Sequence, residues 1–276
     1  LGVFPPPDDP FDGLDGRVTL AVKPDDPNFL YARTASGLIF RWNGTGANQW
    51  NSIRNLPADL ADQGFYNLAM AVDPVDGERL FVGGATSLVT RPDGERIWSA
   101  IFYRLTMARI PSAFPGDPDS IETAATVALG GSLHADIHAI AFRPGEPDEL
   151  WVGGDGGIFL TTTPQGVGNI FTQRNAGIAT LLTHKITCHP EHESVILAGT
   201  QDNGCVRYTG QECWYCTAHG DAGSIVINRR HPERLLIGYT ENSLFHKNDG
   251  GISNRTGSFN LLSYDLNDER ILFYPP

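Results

Sequence analysis

The stretch LAMAVDPVDGERLFVGG, residues 68–84, decides the fold class. A short apolar run leads into a Pro/Asp/Gly turn, and a second apolar run follows that ends on two glycines. Each run is long enough for a strand and too short for a helix. Proline fixes φ and aspartate bonds its own backbone, so the turn stops one strand and reverses the chain. The glycines let the chain bend tightly into a further strand.

The same order recurs as VTLAVKPDDPNFLYART at 18–34, IHAIAFRPGEPDELWVGG at 137–154, HKITCHPEHESVILAGT at 184–200 and SIVINRRHPERLLIGYT at 224–240. A weaker copy, LLSYDLNDERILFYPP, stands at 261–276. The second strands begin at Leu30, Leu80, Leu150, Ile196, Leu235 and Ile271, at spacings of 50, 70, 46, 39 and 36 residues. A third strand follows each glycine, as in SGLIFRW (36–42), GGIFLTT (156–162), NGCVRYT (203–209) and NSLFHKN (242–248). A looser fourth segment often ends on an aromatic, such as Trp50 or Trp98. Four short antiparallel strands per repeat point to an all-β protein of the β-propeller type.

The expectation is about six four-stranded blades in a single domain over residues 1–276, or a piece of a larger protein. The one long spacing holds an excursion at roughly 95–133. It reads as a long third strand IWSAIFYRLTMA, a loop PSAFPGDPDS and a fourth strand IETAATVAL. The C-terminal copy supplies two strands, and Gly2-Val3-Phe4 has the pattern of a third-strand opening. The two termini are therefore expected to share the last blade, which removes two open sheet edges.

Composition narrows the function. Of 276 residues, 41% are hydrophobic and 19% charged, the balance of a chain that folds around a core. Acidic residues outnumber basic ones by 32 to 20, a net charge of −12, which argues against nucleic acid as a partner. No run approaches the roughly 18 apolar residues of a membrane helix. Phosphate loops, nucleotide glycine fingerprints and nucleophile elbows are missing from the sequence, and no cofactor is expected.

The repeats resemble the Asp-box units of sialidases, sortilin-type receptors, xyloglucanase-like glycosidases and photosystem assembly propellers. The Asp-box reads Ser-x-Asp-x-Gly-x-Thr-Trp, and here it is degenerate. Asp249 and Gly251 keep the core with Asn254 in place of Trp; Asp93 stands five before Trp98 with Glu95 in place of Gly; Thr45 stands five before Trp50 with the Asp gone. Residues 134–159, HADIHAIAFRPGEPDELWVGGDGGIF, and 175–204, ending TQDNG, are similar to two adjacent units of secreted propellers related to xyloglucanases. Residues 29–50 are similar to the opening blade of those enzymes, in which a catalytic Asp follows Arg-Thr. This chain has Ala35 there. The resemblance places the second catalytic carboxylate of that family on another propeller domain, and none is expected within these 276 residues.

Four constellations remain, each with more than one reading. His134, Asp136 and His138 alternate along an expected inner strand, which would put them on one face as ligands for a divalent ion or as hydrogen-bonded lining. Asp155, Asp202 and Asp221 sit in GGDGG, TQDNG and HGDAG. They would serve as a carboxylate pair for glycoside cleavage, or cap tight glycine turns. Cys188, Cys205, Cys213 and Cys216 cluster as a disulfide framework does, with Cys205–Cys213 and Cys188–Cys216 the expected pairs. The rivals are free thiols, and a zinc half-site with His189 or His219. Trp42, Trp50, Trp151, Trp214 and Tyr239 would stack on sugars or fill the core.

Two functions follow. One is a non-catalytic, extracytoplasmic module that binds a protein or glycan, or a structural subunit. The missing Asp at position 35 favours it, and the resemblance to secreted proteins implies export. The other is a glycoside hydrolase. In the excursion loop Phe114 is expected to anchor a partner, and the channel mouth around His134, Asp136 and His138 is the alternative place for the contact.

Overall fold

The structure is a computed structural model that describes residues 16–42, 50–61, 63–90, 94, 96–114, 119–168, 170–239, 244–247 and 260–263. The chain divides into two compact bodies, 1–178 and 179–276. Both are built of four-stranded antiparallel meanders, three in the first body and two in the second.

In the first body β1 (Val18–Lys23), β2 (Asp26–Thr34), β3 (Ile39–Trp42) and β4 (Trp50–Arg54) form one meander. The second is β5 (Ala69–Val72), β6 (Arg79–Thr90), β7 (Arg96–Ile110) and β8 (Ser120–Ala128). The third is β9 (Ile137–Arg143), β10 (Glu146–Gly154), β11 (Gly157–Thr161) and β12 (Thr172–Gln173). The second body holds β13 (Thr183–Cys188), β14 (Ile196–Thr200), β15 (Gly204–Tyr208) and β16 (Tyr215–Ala218), then β17 (Ala222–Ile227), β18 (Leu235–Tyr239), β19 (Leu244–Lys247) and β20 (Asn260–Ser263). The long third and fourth strands of the excursion are β7 and β8. A short 3₁₀ turn, Ala58–Ala61, lies between β4 and β5.

Five repeats are therefore seen among the described residues. The segment at Leu261, expected to open a sixth, instead pairs with β19 as the fourth strand of the fifth meander. The rest of the sixth repeat and its junction with residues 1–5 lie outside the described residues, as do Asp93, Asp249, Gly251 and Thr45.

One turn chemistry explains the hairpin between the first and second strands. Asp73 accepts the backbone N–H of Val75 at 2.8 Å through Oδ1, and its own N–H donates to Arg79 O at 2.9 Å. Asn228 Oδ1 accepts from Arg230 and His231 at 2.9 and 3.1 Å, with its N–H on Arg234 O. At the equivalent place a histidine does the same: His189 Nδ1 accepts from Glu191 and His192 at 3.1 Å each, with its N–H on Val195 O. Burial lowers the His189 pKa, and the neighbouring His192 adds to this, which keeps the ring neutral and able to accept.

Period-two alternation fills the core on both faces of the middle sheets. On β6, Leu80 and Val82 pack with Tyr31, Ile39 and Leu105, while Phe81 points to the other side against Phe102, Ile137 and Leu150. The second body has its own core of Leu197, Cys205, Ile225 and Ile237. A feature outside the repeat pattern joins the first two meanders. The edge strands β4 and β8 pair in parallel, Ile53 with Ile121 and Arg54 with Glu122, giving one eight-stranded sheet.

Candidate functional site

The site of the first body forms where β9 begins and β10 ends. Ile137 pairs with Gly154 and Ala139 with Gly153, so His138 is an extra residue without a cross-strand partner. Such a bulge re-aims its side chain. A bulge of the same kind places His184 between the Thr183–Thr200 and Lys185–Gly199 pairs of the fourth meander.

The glycines of GGDGG have separate tasks. A Cβ on Gly154 would lie 2.5 Å from the Asp136 carbonyl oxygen, and one on Gly156 would lie 2.1 Å from His134 Cβ. Gly157 takes φ +100°. Asn175 ties this turn down, accepting the Ile158 N–H and donating to Gly156 O, both at 2.7 Å. The close approach brings the Asp155 N–H to Asp136 O at 3.2 Å.

Around Asp155 the side chains converge. His138 Nε2 lies 2.7 Å from Oδ1, and the Tyr66 hydroxyl donates to Oδ2 at 3.1 Å. Tyr66 also meets the His138 ring edge-on, with centroids 4.7 Å apart. Oxygens of Asp136 and Asp155 approach within 4.8 Å. Asn67, fully buried, donates from Nδ2 to Asp136 Oδ1. Burial raises the Asp136 pKa above the usual carboxylate value, and the Asp155 charge adds to it; the Asn67 hydrogen bond and the two histidines pull the other way.

This geometry corrects the expected His134–Asp136–His138 face. The strand begins at Ile137, and Asp136 sits before it with φ +63°. Among non-glycine residues, Asp and Asn are the ones most often found in that left-handed region. His134 is exposed, and its Nδ1 stands 3.1 Å from Ala135 O. His138 Nε2 is turned to Asp155. The strand alternation that was to align the three residues therefore breaks at Asp136. Asp136 and Asp155 come together instead, with Tyr66 and Asn67, which the repeat pattern did not single out. Phe65 beside them is 78% exposed.

In the second body Asp202 and Asp221 are adjacent. Asp202 has φ +61°, and its N–H donates to Asp221 Oδ1 at 2.8 Å, so Asp221 caps the TQDNG turn. Neither expected disulfide is present among the described residues. The register gives the reason. Cys205 stands opposite Ala218 and is buried, while Cys213 lies exposed in the connection before β16. Cys188 pairs with Ile196, and Cys216 with Val206. Cys216 Sγ lies 3.5 Å from His219 Nδ1, yet among the described residues no cysteine joins a group of three metal-ligand atoms. Of the tryptophans, Trp42 and Trp50 pack edge-on at 5.3 Å, and Trp214 stays 44% exposed. Phe114 is 71% exposed at the rim of the excursion loop, whose base is fixed by Ser112 N–H on Asp119 Oδ1 at 3.1 Å.

No protein-family model matches the chain. No curated protein matches it in sequence. Among solved structures, it is similar to a GH74 enzyme from Niastella koreensis, with TM-score 0.40 and 16% identity over 86% of this chain and 34% of that one. It is also similar to YCF48 from Cyanidioschyzon merolae, with TM-score 0.34 and 14% identity over 86% of this chain and 66% of that one. The chain thus spans about a third of the length of the GH74 enzyme.

Proposed function

We propose that the chain is a non-catalytic, extracytoplasmic β-propeller that binds a protein or glycan partner, or serves as a structural subunit of an assembly. The observation that carries this is the tying-up of its carboxylates. Both Asp155 oxygens are engaged by His138 and Tyr66, and Asp221 caps a turn. At the position where the resembling glycosidases carry their catalytic Asp stands Ala35. A Cβ on Gly64 would meet its carbonyl oxygen at 2.0 Å, so the 63–67 loop packs directly on it. Two exposed aromatics, Phe65 and Phe114, supply the contact surface. Aromatic rings are the side chains that most often anchor a protein or sugar partner.

Glycoside hydrolysis is the second reading. It is favoured by one observation: Asp136, with a raised pKa, lies beside Asp155, the pattern of an acid paired with a carboxylate. The test is release of reducing sugar from xyloglucan and β-glucans. The binding reading expects none above buffer. Turnover abolished by Asp155→Asn would replace it with the hydrolase. A second arm deletes 112–119, bridged by two glycines, and measures partner or glycan capture. Undiminished capture would move the contact surface away from Phe114.

A further inference from the structure

We propose that Asp136, Asp155 and Asn67 together hold a hard divalent cation of the Ca²⁺ or Mg²⁺ class. Two independent observations meet here. The first is the pair of carboxylates whose oxygens come within 4.8 Å of each other. Two like charges at that separation repel, and a cation between them turns the repulsion into attraction. The second is Asn67. Its side chain is fully buried and its Nδ2 is on Asp136, yet its Oδ1 has no hydrogen-bond partner. A buried acceptor left empty is costly, and in native proteins it calls for an explanation. The amide oxygen and nitrogen share one carbon, so an Nδ2 on the Asp136 carboxylate keeps the orphaned oxygen in the same neighbourhood. A metal ion at the carboxylates would give that oxygen its partner.

The surroundings suit a metal centre. Ligating carboxylates are held in turn by hydrogen-bonding neighbours, and His138 and Tyr66 hold Asp155 in that way. The Asp136 backbone is fixed by its close fit against Gly154. The donors are all oxygens, because His138 Nε2 is spent on Asp155. Oxygen donors select hard cations, and a set of three protein oxygens leaves several positions for water. The site does not depend on whether the chain binds a partner or cleaves sugar.

The test uses the full chain, stripped with chelator and titrated separately with Ca²⁺, Mg²⁺ and Zn²⁺ while the thermal midpoint is followed. A saturable rise with Ca²⁺ or Mg²⁺ is expected, since a ligand that binds only the folded state stabilises it. Asp136→Asn should remove the rise. Tyr66→Phe, which leaves both carboxylates in place, should weaken it by roughly tenfold. Glu149→Gln, on the exposed Arg143 pair, should leave it unchanged. Terbium luminescence gives a second readout: the ion binds oxygen sites, and its emission should be quenched by competing Ca²⁺ in wild type and be lost in Asp136→Asn. Far-ultraviolet dichroism of each variant checks that it has folded. No saturable response, an undiminished response in folded Asp136→Asn, or a response to Zn²⁺ alone would overturn the assignment. Sugar release and partner capture report separately on the proposed function.

Discussion

Replacing Arg33 should test how the first body is pinned together. Arg33 is fully buried. Nη1 donates to Ala69 O at 3.0 Å and to Gly83 O, and Nη2 donates to Leu60 O at 3.0 Å. No carboxylate is among these partners. Burial pushes the Arg33 pKa down from 12.5 to about 10, so the guanidinium is still charged at neutral pH. In Arg33→Met the three carbonyls lose their donors, at about 2 kcal/mol each, or about 6 kcal/mol. Against this, the desolvation of the charge is relieved. The shift to about 10 corresponds to about 3 kcal/mol. The net loss is about 3 kcal/mol, roughly 10 °C in thermal midpoint for a body of this size. Arg33→Lys should be no milder, because it keeps the buried charge and cannot span three carbonyls with a planar fork. Urea unfolding followed by tryptophan fluorescence and far-ultraviolet dichroism reads both variants. A Met variant as stable as wild type would show that desolvation cancels the hydrogen bonds. A Lys variant clearly milder than Met would show that charge, not the fork, is what this core requires.

Gly154→Ala should cost about 2 kcal/mol and displace Asp136, since its Cβ would lie 2.5 Å from the Asp136 carbonyl oxygen; a thermal midpoint equal to wild type would refute the close-packing argument. The His189 pKa is lowered on folding, so the neutral ring contributes stability that is present above its unfolded value of 6.5 and lost as pH falls through the folded one. His189→Asn, the residue used at 228, should remove that share of the acid sensitivity, and an unchanged stability–pH curve would count against the acceptor role. With timed alkylation and intact mass, Cys188 and Cys213 should react first and Cys205 only on unfolding; a native mass two or four units lighter than the fully reduced chain would mean that disulfides form after all, as export would favour.

The hairpin repeat was readable because its chemistry is local. A first-strand end at Val72, Cys188 or Ile227 is marked by the acceptor that follows it, and every second strand from β2 to β18 contains or starts within a residue of the leucine or isoleucine named for it. The candidate site was half legible. Asp155 stood out in GGDGG, and Asp136 and His138 in HADIH. Their mutual arrangement did not, because the alternation of Ala135, Ile137 and Ala139 with polar residues mimics a strand through a stretch where Asp136 leaves strand geometry. Tyr66 and Asn67 come from a loop with no repeat register. Their signal was the run GFYN, an aromatic pair ahead of a buried polar residue at the foot of β5. The disulfide expectation failed on strand order and register: two strands lie between Cys188 on β13 and Cys216 on β16, and Cys205 stands opposite Ala218 while Cys213 precedes β16.

The parallel seam between β4 and β8 limits how the repeats can be shuffled. In a simple tandem array, copies can be gained or lost because every neighbour contact is alike. Here Ile53 and Ile121 are both almost wholly buried in a ladder that needs one particular pair of copies side by side, and Asn55 adds a bond to Glu122 across it at 3.0 Å. A duplication inserted between these two copies would leave two ladder edges bare, the kind of edge that recruits other chains. Recombination after Ala128 would leave the seam whole. The first two copies are thus tied into a single block of about 110 residues, while the third meander forms a sheet of its own.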